Sequence, residues 1–241
     1  GPGISEDVYD RVNRAATAAL ATAARDRIQR LVFISSIRAQ TGPAATHVIT
    51  EADPAYPTDA YGRSKLAAED AIRAAKLPFT ILRPVLIYGP GVKGNLASLM
   101  RLAQSPWPLP FGAMHNRRSL LGRSNLVDAI QFVLATPATM NETYVIADPV
   151  PLTMAEIVGA LRAGQDRRPG LMPIPPFLLA GLLKALGGAH LWERLGGSSI
   201  VDPAKLLAAG WRPVTDTRAG LATMVQAASP RKSGTASRKM P

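Results

Sequence analysis

Leu31-Val32-Phe33-Ile34-Ser35-Ser36 is a short apolar run that ends in two hydroxyls. Such a run reads as a strand buried within a parallel sheet. Asp59-Ala60 comes next in a cap-like position, and an alanine-rich helical pattern runs on to Ala75. Leu77-Pro78-Phe79-Thr80-Ile81-Leu82-Arg83-Pro84 is then a second buried strand. Strand, helix and strand in that order make a parallel unit, with Ser36 at the carboxyl end of its strand. Open α/β sheets bind their ligands at that end.

The helix between the strands begins Tyr61-Gly62-Arg63-Ser64-Lys65. Positions i and i+4 share a helix face, so Tyr61 and Lys65 can point into one site. A free phenol has a pKa near 10 and is a poor base at neutral pH. A fixed positive charge beside it favours the phenolate, and the spacing therefore predicts a lowered Tyr61 pKa. A tyrosine so tuned can take a proton from a carbinol or give one to a ketone. Ser36 would hydrogen-bond the same oxygen.

The chain has 241 residues, 47% of them hydrophobic, which suffices for one large domain or a domain with a smaller lobe. Cysteine is absent, which excludes disulfides and thiolate chemistry. His47, His115 and His190 are scattered without metal-like spacing, so no metal is expected. The net charge is +11, and Arg231, Lys232, Arg238 and Lys239 crowd the final residues. Residues 229–241 read as a disordered basic tail. Without interleaved aromatics, the basic balance does not predict a nucleic-acid partner. Leu171 to Leu186 is too broken by proline for a membrane span, and Pro176 to Leu186 reads as an amphipathic or buried helix. No signal-peptide pattern opens the chain, and a cytoplasmic setting is expected.

Residues 1–10 read as a loop and Val12 to Ala24 as a helix. Ala39 to Thr58 is a Pro/Thr/Asp-rich loop long enough to serve a site. Val85 to Gly91 reads as a loop, followed by a helix over Leu96 to Leu102. Further expectations are a short strand over 119–121, a helix over Asn125 to Leu134 and a strand over Glu142 to Ala147. Thr153 begins another helix, with Glu156 completing a capping box. A dinucleotide site also needs a glycine-rich turn after its first strand. Gly89-Pro90-Gly91 is read instead as a loop leading to a second lobe.

Together these residues resemble the extended short-chain dehydrogenase/reductases of the NAD-dependent epimerase/dehydratase family, in particular UDP-glucose 4-epimerase-like proteins and UDP-sugar 4-ketoreductases of surface-polysaccharide pathways. The anchors are Val12-Asn13, Ser35-Ser36, Asp59-Ala60-Tyr61-Gly62-Arg63-Ser64-Lys65, Leu82-Arg83-Pro84-Val85-Leu86-Ile87-Tyr88-Gly89-Pro90, Gly94-Asn95-Leu96, Arg117-Arg118-Ser119, Asn125-Leu126-Val127-Asp128-Ala129 and Asp202-Pro203-Ala204-Lys205. The resemblance implies an α/β fold, a Rossmann-type parallel sheet lacking its N-terminal strands, with a smaller, mostly helical substrate lobe. Residues 1–92 with 119–149 would form the sheet domain, and 93–118 with 150–228 the lobe.

The resemblance implies that Tyr61 is the acid/base, that Lys65 tunes it and holds the nicotinamide ribose, and that Ser36 orients the reacting sugar oxygen. Pro84 and Leu86 would lie against the nicotinamide of NAD or NADP, and Asn13 near the cofactor. Asn95 and Leu96 would contact the UDP-sugar, and Arg118 its diphosphate. Asn95 could equally cap the next helix. Sugar 4,6-dehydratases carry Asp-Glu where this chain has Ile37-Arg38, which argues against dehydration. The implied activity is C4 epimerisation or 4-keto reduction of a UDP-hexose, and the resemblance implies a homodimer as the family's expected assembly. The alternative is a catalytically inactive relative that binds a partner or a nucleotide-sugar.

Overall fold

The computed structural model describes residues 5–185, 187, 192 and 196–228. The basic tail, His190 and the end of the helix expected to reach Leu186 lie outside the described residues. The described chain opens with one helical rod. It comprises α1 (Glu6–Tyr9), a π-helical stretch (Asp10–Ala15) and α2 (Ala16–Ala24). Residues 6–10, expected as loop, are thus helical. Glu6 and Asp7 place negative charge in the first turn, where the helix dipole favours it.

The rod leads to β1 (Leu31–Ile34), α3 (Ala60–Ala74), β2 (Phe79–Pro84) and β3 (Leu86–Tyr88). Then come α4 (Gly94–Ala103), β4 (Arg117–Arg118), β5 (Leu120–Gly122), α5 (Arg123–Ala135) and β6 (Glu142–Ile146). The remainder is β7 (Leu152–Thr153), α6 (Met154–Ala163), α7 (Pro176–Ala185), α8 (Ala204–Ala208) and α9 (Thr217–Ala228).

β1, β2 and β6 form a parallel sheet in that order, with Ile34 opposite Leu82 and Leu82 opposite Tyr144. The β1–α3–β2 crossover anticipated from the sequence is this sheet's first unit. Its β2–β6 half is buried by Leu82, Val145 and Ile146, which join Val133, Leu206 and Trp211 in one core. The loop expected over 85–91 instead contains β3, which pairs in parallel with β5. Three residues carry too little pattern to be recognised, and the partner lies more than thirty positions away. A helix, α4, does begin at Gly94, after a turn in which Gly91 and Gly94 take left-handed φ angles of +79° and +68°.

A second core gathers Tyr88, Leu96, Leu120, Leu161 and Leu221 from α4, α6, α9 and the β3–β5 pair. A third holds Leu109, Phe111, Met154, Val158 and Leu179. Thr153 and Glu156 form the expected capping box at α6, with Thr153 N donating to Glu156 Oε2 at 2.8 Å. The 198–202 segment runs between the 45–49 loop and β4: Ala45 N donates to Ser198 O and Ser119 N to Ser199 O. This brings the long loop, β4 and the end of β1 to one side of the sheet.

Candidate active site

Where β1 ends, the chain turns into a 3-10 helix (Ile37–Ala39). Ser36 Oγ accepts from Arg38 N–H at 3.1 Å, which holds the hydroxyl at the strand end. Its own proton is left to face the Tyr61 phenol, where it favours the phenolate. Tyr61 lies in the first turn of α3. That turn is capped by Asp59, whose Oδ1 accepts from Gly62 N at 2.7 Å and whose Oδ2 pairs with Arg38 Nη2 at 2.6 Å. Tyr9 stacks edge-on against the Tyr61 ring with centroids 5.7 Å apart.

One turn further, Lys65 Nζ donates to Ile34 O at 3.0 Å and sits over the Phe33 ring. Another turn on, Glu69 is fully buried. It accepts from Ser35 Oγ at 2.5 Å and pairs with Arg83 Nη2 at 2.6 Å. Arg83 Nη1 continues to Gln40 Oε1 at 3.0 Å, and Gln40 Nε2 donates to Thr50 O at 2.6 Å. One carboxylate on the face of Tyr61 and Lys65 thus ties α3 to β1, β2 and the long loop. Arg83 stands among the resemblance anchors with no role attached. Glu69 repeats the four-residue spacing of Tyr61 and Lys65, which was the available signal.

Ser36, Tyr61, Lys65, Pro84, Leu86, Asn95 and Arg118 line a single cleft of about 600 Å³. Two other candidates lie elsewhere. Leu96 is buried in the second core, because α4 turns that side inward. Asn13 Nδ2 donates to Ser64 Oγ at 2.9 Å, which joins the N-terminal rod to α3. Lys93, not Asn95, occupies the N-cap of α4, so Asn95 stands within its first turn. Arg38 was not anticipated. It lines the cleft, and its Nη1 is buried without a hydrogen-bond partner. The charged side chains lining the cleft are Arg38, Lys65 and Arg118, all cationic. That favours an anionic occupant.

One electrostatic expectation is corrected. The Tyr61 pKa lies above its usual value, not below it, because burial outweighs the hydrogen bond from Ser36. The cation pulling it down is Arg38, with Tyr9 and Asp59 opposing. Lys65 faces the Ile34 carbonyl, and burial lowers its own pKa despite the nearby Glu69 charge.

The model of the NAD dependent epimerase/dehydratase family matches residues 4–147. The chain belongs to that family. It is 35% identical over 228 residues to a UDP-glucose 4-epimerase of Vibrio cholerae, covering 91% of this chain and 70% of that protein. Among solved structures, UDP-N-acetylglucosamine 4-epimerase from Bacillus cereus superposes with a TM-score of 0.71 at 18% identity, over 94% of this chain and 73% of that one. A UDP-glucuronic acid 4-epimerase from the same organism, in complex with NAD, gives 0.68 at 16% identity, over 94% and 72%. These superpositions establish the Rossmann-type fold for this epimerase/dehydratase family member.

The family's cofactor is a nicotinamide dinucleotide, and the cleft fits its nicotinamide–ribose end. Lys65 uses one of three ammonium donors on Ile34, which leaves two for ribose hydroxyls. Pro84, Val85, Leu86 and Ile87 give a mostly apolar wall for a flat ring.

Proposed function

We propose that this protein acts on the C4 carbon of a UDP-hexose, as a 4-epimerase or a 4-keto reductase. The observation that carries the reading is the convergence of Ser36, Tyr61, Lys65, Asn95 and Arg118 on one cation-lined cleft. Tyr61 holds or releases the proton of the C4 oxygen. On substrate binding the Ser36 hydroxyl turns its proton to that oxygen and keeps it against the phenol. Lys65 binds the ribose, and Arg38 supplies the positive charge that favours the Tyr61 phenolate. A nicotinamide bound there supplies the hydride exchange. Arg118 presents a planar donor fork to the diphosphate, and Asn95 a polar contact to the nucleotide-sugar. Residues 93–118 and 150–228 act as the substrate lobe.

The test is the interconversion of UDP-glucose and UDP-galactose with added NAD, beside reduction of UDP-4-keto-hexose with reduced cofactor. Tyr61→Phe should lower turnover by about 10²–10⁴-fold while UDP-sugar binding holds. Unchanged turnover in Tyr61→Phe overturns the acid/base role. Saturable UDP-hexose binding without turnover in either assay would mark the chain as a nucleotide-sugar binder.

A further inference from the structure

Far along the chain from the Tyr61 motif, α7 breaks the rule that an all-apolar helix is a buried one. Its sequence, Pro-Phe-Leu-Leu-Ala-Gly-Leu-Leu-Lys-Ala, has Lys184 as its one polar residue, yet Leu179 is its one buried residue. Leu179 and Leu183 pack on the third core. Phe177, Leu178 and Leu182 point outward, with Phe177 72% exposed. Beside α7, the 107–112 segment bridges 170–172, Leu109 opposite Leu171 and Met172 N donating to Leu109 O. Trp107 there is 75% exposed, and Met172 is exposed as well.

This surface is built rather than loose. Arg162 is buried and donates to the carbonyls of Ala103, Ser105, Trp107, Pro169 and Gly170 at 2.8–3.3 Å. One guanidinium therefore pins both loops that flank α7. Arg167 Nη1 adds a bond to Gln104 O at 2.5 Å.

The charge around it is mostly positive, with Asp166 the acidic residue next to Arg167. Residues 101–118 and 167–185 contain no Asp or Glu. Arg101, Arg167, Arg168 and Lys184 are exposed there. Exposed Trp, Phe and Leu beside a predominance of cations match the chemistry of the headgroup–acyl boundary of an anionic bilayer.

We propose that α7 and the Trp107 loop seat this protein on an anionic phospholipid surface. Phe177, Leu178, Leu182 and Trp107 enter the boundary layer, and the four cations meet the phosphates. The seat is peripheral: no helix among the described residues is long and apolar enough to cross a membrane.

Flotation of the full chain with phosphatidylglycerol–phosphatidylcholine vesicles tests this. Binding should be at least about tenfold weaker to pure phosphatidylcholine, and at least about tenfold weaker for Phe177→Ser/Leu182→Ser, since each change removes a large apolar side chain from the boundary layer. Both substituted positions are exposed, so circular dichroism should match the parent. Brominated lipid should quench tryptophan emission in the parent and far less in Trp107→Phe. Neutralising Arg231, Lys232, Arg238 and Lys239 should leave that quenching intact. The proposal is overturned by any of four results: no flotation of the parent, equal flotation of the double variant, quenching lost with the tail charges, or a dimer in sedimentation that the double variant abolishes. The last would mean that a second copy covers the face.

Discussion

Tyr61 and Tyr88 are both phenols kept neutral by their surroundings, for different reasons. Tyr61 is half buried at the cleft, and its charge is opposed by desolvation, Tyr9 and Asp59. Tyr88 is almost fully buried and donates to Asp148 Oδ2 at 3.0 Å, so ionisation would set two negative charges side by side. The folded pKa of Tyr88 lies above the unfolded value near 10. Its contribution to stability is thus fully present below about pH 10. Above that the unfolded chain releases the proton first, and stability falls. Lys65, depressed when folded, has the opposite sign and works against this loss on approach to its unfolded pKa. Tyr88→Phe should cost about 1–3 kcal/mol at pH 7 by leaving a buried acceptor short of a donor. It should also flatten the decline between pH 10 and 11. Urea midpoints across that range check this, and a decline as steep as the parent's would refute it. At this scale Tyr61, Lys65 and Ser36 were legible because one helix face and one strand end bring them together. The carbonyl that accepts the Lys65 hydrogen bond, and the burial that raises Tyr61, belong to packing and were not.

α3 carries the site because its first turn presses against the 37–39 turn. A Cβ on Gly62 would stand 2.2 Å from Arg38 O and 3.0 Å from Pro57 Cβ. Backbone cannot yield that distance cheaply. Gly62→Ala should therefore destabilise the protein by about 1–3 kcal/mol or more and pull Tyr61 away from Ser36. The loss should show as a lower thermal midpoint together with weaker nucleotide-sugar binding. A variant as stable as the parent with unchanged binding would refute the close approach. Elements with several turns or a full apolar run, such as α3, α5, β2 and β6, were readable from their own residues. β3 and β4 were not, because strands of two or three residues exist only through partners elsewhere: Leu86 opposite Leu120, Arg117 opposite Thr153. The helical start at Glu6 was missed for a related reason. Asn13 reaches Ser64 and Glu6 pairs with Arg63, so tertiary contacts with α3 accompany a turn with weak signals of its own.

Across the molecule, two buried arginines hold separate regions by different means. Arg83 is paired with Glu69 beneath the cleft, whereas Arg162 is satisfied by backbone carbonyls under the α7 surface. Arg162→Gln cannot reach all five carbonyls. It should cost about 3 kcal/mol or more, as the stranded acceptors lose their donors. Hydrogen exchange should quicken over 103–112 and 162–172 while β1, β2 and β6 stay protected. Uniform acceleration through the sheet would show that these regions unfold as one unit. By itself the sequence determined the parallel β1–α3–β2 unit, the phenol–ammonium–hydroxyl set at its carboxyl end and the family. Local periodicity and fixed spacings encode those directly. The tertiary structure alone decided which candidates face the cleft, how Leu96 came to be core, the upward pKa of Tyr61 and the outward apolar face of α7. Burial and electrostatics depend on what packs against a side chain, and those neighbours lie tens of residues away along the chain.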